Sequence, residues 1–246
     1  MPERSIAPAR RLGRELRAAC FDLLFAADCV GCGVDSPHDR LCRECRTLLE
    51  RRPAPLCQRC GEPVLAGTTN CGADHRALAG LALHRAPFRY RGTGARLVHR
   101  FKFRGDLSAG HWLARAMAQE IEPQTRGPLR RALVVPVPRH PSKRRTEAFD
   151  QATWLARTIA DRTGLPMAVG ALLRIRPTLP QADPRVTDRE ANVAGAFACG
   201  SPWMVASRGI LLIDDVLTSG ATARACAAAL RAAGAERVAL LTAARA

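Results

Sequence analysis

The chain has 246 residues, enough for one sizeable hydrophobic core and a small accessory module. Its hydrophobic content of 47% argues against a disordered protein, and no apolar stretch approaches the roughly 20 residues that a membrane span requires. A formal charge of +16 favours partners that carry phosphate, such as nucleotides or nucleic acid, although a generally basic surface is the simpler alternative.

Residues 1–28 are predicted to form an amphipathic lead helix, because apolar residues recur at helical spacing along one face. Aspartates interrupt the apolar patch and no cleavage site follows it, so we do not interpret it as a signal peptide. We therefore expect a cytoplasmic protein without membrane insertion. In that compartment clustered cysteines are more often metal ligands than disulfides. The residues on the apolar face are Leu12, Leu16, Cys20 and Leu23.

Residues 29–80 hold seven of the ten cysteines and show little periodicity. The first four are arranged as two pairs, each with two residues between its cysteines, which is the spacing of a structural zinc site closed by four thiolates. Such a site leaves no position for water, so we assign it no catalysis. The predicted ligands are Cys29, Cys32, Cys42 and Cys45.

A second, incomplete set follows at Cys57, Cys60 and Cys71. The fourth thiolate would be expected at position 74, which is Asp74, with His75 beside it. Both are candidate ligands, because zinc accepts carboxylate oxygen and imidazole nitrogen. The alternative is a degenerate knuckle without metal, so the sequence predicts one or two structural zinc ions.

Residues 81–246 alternate between short apolar runs and helical patterns. Strands are predicted at 133–137, 171–173, 209–213 and 238–241, and helices at about 107–121, 150–163 and 221–233. This alternation predicts an α/β domain with a parallel sheet flanked by helices, preceded by the cysteine module. In such sheets the ligand lies at the carboxyl ends of the strands.

One of these strand ends carries a candidate binding loop. The strand at 209–213 is followed by two carboxylates, then by small and hydroxyl residues, then by a helix. Small residues let backbone N–H groups approach an anion, and a helix start adds donors for phosphate. The carboxylates can accept hydrogen bonds from ribose hydroxyls. The site residues are Asp214, Asp215, Val216, Leu217, Thr218, Ser219, Gly220, Ala221 and Thr222.

This loop resembles the phosphoribosyl pyrophosphate (PRPP) loop of type I phosphoribosyltransferases. The resemblance implies that Asp214 and Asp215 hold the ribose while residues 218–222 hold the 5′-phosphate. From about residue 16 onward the chain resembles the ComF family of double zinc ribbon, amidophosphoribosyltransferase-like proteins. That family is associated with DNA uptake during natural transformation. Further residues that carry the resemblance include Tyr90, Arg91, Gly92, Val135, Pro136, Gln151, Arg174 and Phe197.

Two further segments are candidates for contact with pyrophosphate. The basic turn after the strand at 133–137 could neutralise pyrophosphate directly or together with Mg²⁺, or could be a solvated loop. The polar segment 176–189 has the length of a functional lid, or is a mobile connection without a catalytic part. The turn offers Arg139, Lys143 and Arg145, and by resemblance the lid region offers Thr178, Gln181, Arg189 and Asn192.

A basic segment with interleaved aromatics spans residues 85–104. Cations hold backbone phosphates while aromatic rings stack on unpaired bases, so this segment is a candidate surface for single-stranded DNA. The alternative, favoured for Phe88 and Phe101, is a hairpin and helix whose aromatics belong to the core. The candidate DNA contacts are Arg89, Arg91, Arg96, Arg100, Lys102 and Arg104.

Two functional hypotheses remain from the sequence. The first is an enzyme that binds PRPP with Mg²⁺ and transfers the pentosyl group; its acceptor and catalytic residues are unknown. The alternative is a non-catalytic competence protein that responds to PRPP or a nucleotide, binds single-stranded DNA and engages DNA-uptake proteins.

Overall fold

The computed structural model of the chain describes residues 28–36, 41–73, 75–139, 149–179 and 186–246. Two compact units divide between Leu48 and Leu49. The small unit contains the first predicted ligand set, Cys29 to Cys45, and helix α1 (Arg43–Thr47). The predicted lead helix lies outside the described residues except for Asp28. The domain boundaries predicted from the sequence, after residues 28 and 80, stay predictions.

The large unit is built on a parallel sheet. Its strand order is β1 (Leu83–Arg85), β7 (Arg237–Arg245), β6 (Gly209–Leu217) and β3 (Leu133–Pro136), and β2 (Phe88–Arg89) extends the edge of β7. Every pairing in this sheet is parallel. The two central strands, β6 and β7, are apolar along most of their length, as strands buried on both faces should be.

A second, two-stranded sheet pairs β4 (Leu172–Arg174) with β5 (Phe197–Cys199) in antiparallel register. The prediction that the strand at 171–173 belongs to the parallel sheet is therefore wrong. An apolar run this short is compatible with either kind of pairing, and the partner β5 showed no strand signal of its own.

Helices flank the parallel sheet. Three of the longest start or stop at residues suited to those positions: Asp106 and Asp150 accept hydrogen bonds from backbone N–H groups at helix starts, and Gly105 ends a helix at φ 65°. The helices of the large unit are α2 (Gly92–Arg104), α3 (Leu107–Thr125), α4 (Gln151–Thr163), α5 (Arg189–Val193), α6 (Pro202–Val205) and α7 (Ala221–Ala232), with a 3₁₀ helix at Arg76–Leu78.

The sheet separates two packing layers. Helices α2, α3 and α4 pack together against one face, whereas α7 and the second cysteine set pack against the other. The side chains of Leu212 and Leu240 share a buried cluster with Cys57, Cys60 and Leu230. The predicted fold class, a parallel sheet flanked by helices with a cysteine-rich amino-terminal module, is confirmed. None of the described helices combines the length and apolarity needed to cross a membrane.

Candidate functional site

The candidate loop follows the central strand β6. The run Ile210–Ile213 is fully buried, and the strand then presents Asp214 and Asp215 at the sheet edge. Because side chains alternate along a strand, the two carboxylates project to opposite faces. Asp214 lies on the face covered by α7, and Asp215 lies on the face covered by α2.

Asp215 forms an ion pair with Lys102 of α2, with 2.5 Å between Nζ and Oδ2. Burial lowers the pKa of Lys102, but the attraction of Asp215 outweighs it, and the net pKa is raised. Lys102 was assigned from the sequence to a DNA surface. The structure places it against the candidate ribose carboxylate, so the ammonium group stands at the binding loop and remains charged at neutral pH.

Asp214 is partly buried and has no cation bonded to it among the described contacts. Burial raises its pKa, the like charge of Asp215 raises it further, and the two together bring it to about 7 despite the opposing effect of Lys102. A carboxyl group that gains and loses a proton near neutral pH has the property required of a general acid or base.

The turn after β6 joins the strand to α7 through Gly220. This residue has φ 80°, in the left-handed region that favours glycine, and it is the N-cap of the helix. A Cβ at this position would also collide with the backbone carbonyl of Ala77. The Ser219 hydroxyl accepts a hydrogen bond of 3.4 Å from the Ala221 N–H. The arrangement puts the start of a twelve-residue helix, with its donors, directly beyond the two carboxylates.

A cleft of about 760 Å³ lies beside this turn. Arg224 of α7 joins its two sides: Nη1 donates to the carbonyls of Ser219 (2.9 Å) and Arg76 (3.4 Å), and Nη2 contacts the Glu190 carboxylate at 2.7 Å. Arginine side chains therefore border the loop on its outer side. The cleft is lined by Arg76, Ala77, Val186, Thr187, Asp188, Arg189, Glu190, Ser219 and Arg224.

The remaining pyrophosphate and lid candidates divide into three groups. Arg189 lines the cleft that also contains Ser219. Asn192 instead holds the lid backbone, because its amide bonds both the N–H and the carbonyl of Leu179. The guanidinium of Arg139 donates to the Phe149 carbonyl at 3.0 Å, and Thr178 accepts a hydrogen bond from Arg174. Lys143, Arg145 and Gln181 lie outside the described residues.

The second cysteine set gathers a fourth ligand. The Nε2 atom of His75 lies 3.2 Å from Cys71 Sγ and 3.7 Å from Cys57 Sγ, and the Sγ atoms of Cys60 and Cys71 are 3.6 Å apart. Tetrahedral zinc with Zn–S bonds of about 2.3 Å separates its ligand atoms by about 3.5–3.8 Å. The four groups fit such an ion. Asp74, the other predicted ligand, lies outside the described residues.

The first cysteine set forms a cluster of the same size. In both clusters all four ligand atoms lie within 4.8 Å of one another, and the Sγ atoms of Cys32 and Cys42 are 3.7 Å apart. Four thiolates at this separation fit a closed structural zinc site. The members are Cys29, Cys32, Cys42 and Cys45.

One thiol in each cluster ionises readily. Burial acts to raise the pKa of Cys29, but backbone N–H donors, led by that of Cys42 at 3.2 Å, outweigh it and lower the pKa to about 6. Cys57 shows the same balance, with the Cys60 N–H as the leading donor, and its pKa is also lowered to about 6. Each cluster therefore supplies a thiolate, the form that binds metal, at neutral pH.

The candidate DNA contacts of the basic segment, residues 85–104, include both paired and exposed arginines. Three of its arginines bond neighbours in the same unit: Arg89 with Glu62 at 3.1 Å, Arg96 with Thr93 at 2.8 Å and Arg100 with Asp106 at 2.8 Å. Arg91 and Arg104 are exposed.

The aromatics of this segment divide in the same way. Phe88 and Phe101 are fully buried, as the core alternative predicted. Phe103 is 66% exposed, and its ring lies 4.7 Å from that of His99 on the same helix. Helix α2 thus presents an aromatic pair to solvent close to Lys102.

Comparison with known proteins agrees with this picture. The double zinc ribbon domain family matches residues 20–74, which include all seven cysteine ligands of the two clusters and end one residue before His75. Competence protein F from Haemophilus influenzae is 23% identical over 231 residues, which cover 87% of this chain and 95% of that protein. The chain is a homologue of competence protein F. The resemblance to the ComF family found in the sequence is confirmed.

A solved structure of glutamine PRPP amidotransferase from B. subtilis, complexed with ADP and GMP, is 26% identical with a TM-score of 0.36. The matched region covers 54% of this chain and 25% of that protein, so this chain spans about a quarter of its length.

Sequence reasoning missed two contacts of the loop and left one ligand open. Lys102 precedes Asp215 by more than a hundred residues, so no local pattern indicates their ion pair. Arg224 stands four residues after Gly220, one turn into the helix, and that spacing is a usable signal for a side chain that folds back over the loop. His75 lies four residues after Cys71, a spacing that suits a zinc ligand as well as position 74 does.

Proposed function

We propose that this chain binds PRPP or a related ribose phosphate at residues 214–222. The observation that carries the proposal is the order of groups at the carboxyl end of β6. Two carboxylates, one of them paired with a lysine, are followed within one turn by a glycine that starts a helix. The helix start suits the 5′-phosphate, and the carboxylates suit the ribose hydroxyls.

The relative named competence protein F supports a role in competence, in which the chain would act in the cytoplasm with DNA-uptake proteins. The basic charge of +16 agrees with polyanionic partners. We combine ribose-phosphate binding and the competence role in one proposal. In a competence protein, the bound ribose phosphate would be either a substrate or a signal that regulates DNA uptake.

If the chain is a pentosyltransferase, its own residues suggest how the site would act. Asp214 and Asp215 would orient the ribose by accepting its hydroxyl hydrogens, and the Lys102 ammonium would lie close to charge that develops as pyrophosphate departs. Mg²⁺ carried with PRPP would supply further neutralisation of that charge. With a pKa of about 7, Asp214 is the candidate to take a proton from the acceptor, whose identity is open.

Binding is tested by calorimetry with PRPP and Mg²⁺ on the zinc-loaded protein. Asp215→Ala removes a charged acceptor and should weaken binding at least about tenfold. Asp161→Ala removes an exposed carboxylate on α4 and serves as the matched control, expected to bind like the wild type. A wild-type protein that binds no sugar phosphate, or equal affinities for the wild type and Asp215→Ala, would refute the proposal.

A second candidate function, binding of single-stranded DNA, is favoured by the exposed Phe103–His99 pair in the last turns of α2, next to the exposed Arg104. Stacking of a base on an aromatic ring contributes about 1–3 kcal/mol, so Phe103→Ala should weaken DNA binding about fivefold or more. Val169→Ala shortens an apolar side chain of similar exposure elsewhere and should leave binding unchanged.

The two functions are separated by turnover and salt. Pyrophosphate released from PRPP by a nitrogen nucleophile, and lost in Asp214→Ala, would support the enzyme. DNA binding that weakens steeply with salt, without turnover, would support the binding protein.

A further inference from the structure

We propose that the metal at the second cluster, formed by Cys57, Cys60, Cys71 and His75, fixes the geometry of the phosphate-binding turn, so that metal binding and sugar-phosphate binding are thermodynamically coupled. The inference rests on the proposed function of residues 214–222. It concerns groups that all belong to the large unit.

The first half of the cluster is anchored by the protein itself. Glu62, two residues after Cys60, contacts three arginines: Arg52 at 3.3 Å, Arg89 at 3.1 Å and Arg245 at 3.2 Å. Arg52 is almost completely buried, so this network holds its position firmly.

Backbone contacts add to this anchor. Arg245 at the end of β7 also donates to the Cys60 carbonyl at 3.1 Å, and Arg85 of β1 donates to the Gln58 carbonyl at 3.0 Å. Cys57 and Cys60 are themselves part of the buried core. This half of the cluster therefore stays in place relative to the sheet whether or not metal is bound.

The second half is attached differently. Cys71 and His75 are partly exposed, and the hydrogen bonds of their side chains are with the other ligands of the cluster. A metal ion bonded to all four groups ties this half to the anchored Cys57 and Cys60. His75 is also the N-cap of the 3₁₀ helix, and its carbonyl accepts a hydrogen bond from the Leu78 N–H at 2.8 Å.

The 3₁₀ helix, which begins directly after His75, contacts the phosphate-binding turn. The Ala77 carbonyl packs so closely on Gly220 that no side chain fits between them. The Arg76 carbonyl accepts a hydrogen bond from Arg224 Nη1, the same nitrogen that donates to the Ser219 carbonyl. Only Arg76 lies between the metal ligand His75 and Ala77, whose carbonyl touches the phosphate-binding turn.

Coupling between two binding sites is reciprocal, so the metal should raise affinity for the sugar phosphate by the factor by which the sugar phosphate raises affinity for the metal. Glycine adopts the left-handed conformation of Gly220 as readily as others, so a fixed neighbouring carbonyl selects this conformation from several. Leu78 stays buried in the core, so loss of the ion would release His75 and loosen the start of the 3₁₀ helix, and the Ala77 carbonyl would hold Gly220 less firmly.

The test compares removal of one partly exposed ligand from each cluster. PRPP with Mg²⁺ is titrated calorimetrically into the wild type, His75→Ala and the matched control Cys42→Ala in the first cluster. We expect about tenfold weaker binding for His75→Ala and a change below about twofold for Cys42→Ala. His75→Cys keeps four zinc ligands and should restore affinity to near that of the wild type.

A second measurement leaves the second cluster intact, so it does not depend on whether variants of that cluster fold. Cys42→Ala is treated with a zinc-selective chelator, with and without PRPP and Mg²⁺, and zinc loss from the remaining site is followed. PRPP should raise the chelator concentration for half-removal about tenfold. Equal zinc loss with and without PRPP, in protein that binds PRPP, overturns the coupling. A wild type that binds no PRPP overturns the proposed function instead.

Discussion

The two candidate metal clusters each begin with a CxxC pair and are of similar size, but they differ in what surrounds them. The first lies in the small unit, with its four ligands drawn from residues 29–45 and with Cys32 exposed to solvent. The second lies in the large unit, where Cys57 and Cys60 belong to the same buried cluster as the apolar side chains of β6 and β7. The same CxxC spacing therefore occurs once in a small unit and once in the hydrophobic core of the large unit.

The difference shows that ligand spacing specifies a metal site but not what the site supports. In the first cluster, a bound ion would order a short segment with a five-residue helix. In the second cluster, a bound ion would join two core cysteines to His75, which starts the 3₁₀ helix that contacts the turn after β6. The free energy of metal binding should accordingly appear in the stability of different parts of the chain.

The largest expected effect comes from removing one equally buried thiol from each cluster; Cys45 and Cys60 are both 2% exposed. Cys60→Ser should lower the free energy of unfolding of the large unit by about 4 kcal/mol, because metal and core packing are lost together. Cys45→Ser should leave it unchanged within about 0.5 kcal/mol. All three tryptophans lie in the large unit, so denaturation followed by tryptophan fluorescence measures this unit.

The comparison fails if the two variants lower that free energy equally. Zinc content measured on the same samples shows whether each variant has lost one ion, which the comparison requires.

A smaller effect is expected from paired glycines with the same backbone conformation. Gly220 has φ 80° and Gly33 has φ 81°, but a Cβ at Gly220 meets the Ala77 carbonyl whereas a Cβ at Gly33 meets nothing within 4 Å. Gly220→Ala should cost about 2–3 kcal/mol in the large unit and abolish PRPP binding. Gly33→Ala carries only the conformational cost of about 1 kcal/mol, confined to the small unit.

Thermal unfolding and PRPP titration of both variants check this prediction. A Gly220→Ala protein as stable as Gly33→Ala would show that the 3₁₀ helix yields easily, and it would weaken the mechanical distinction between the clusters.

The smallest effect concerns charge in the large unit. The pKa of Asp214 is raised from 3.8 to about 7, so the folded state binds a proton that the unfolded state has released. Stability from this group is present at low pH and is lost as pH rises from about 4 through 7. Asp214→Asn should therefore be about 1–2 kcal/mol more stable than the wild type at pH 8.

Denaturation at pH 5 and pH 8 measures the difference, which should shrink at the lower pH. PRPP affinity should rise from pH 6 to pH 8 in the wild type as Asp214 ionises, and Asp214→Asn should lose that part of the rise. The first-cluster variant Cys45→Ser keeps Asp214 and should follow the wild-type pH dependence.

The features that the sequence predicted best are local. The β6 strand, the turn and α7 are contiguous, and both cysteine sets show their spacing within about twenty residues. Strands β1 and β2 were not predicted because they are three and two residues long and contain His84, Arg85 and Arg89. Burial of such charged groups depends on partners far along the chain, such as the Gln58 carbonyl that accepts from Arg85.

The same limit applies to the candidate site. The aspartate pair could be read from its motif, but the lysine that neutralises one aspartate comes from α2. The contact between the 3₁₀ helix and Gly220 is invisible in the sequence, because nothing in residues 76–78 marks them as neighbours of the turn.

The position of β7 has a consequence for how the protein is made. This strand lies between β1 and β6 and pairs with both, as well as with β2, yet it follows every one of them along the chain. Synthesis on the ribosome proceeds at about 5–20 residues per second, so β1, β2 and β6 cannot pair with β7 until the last part of the chain has been made. The first cluster, whose ligands all lie within residues 29–45 of the small unit, can take up zinc before β7 completes the sheet, whereas the second cluster packs on β7 and is completed with it.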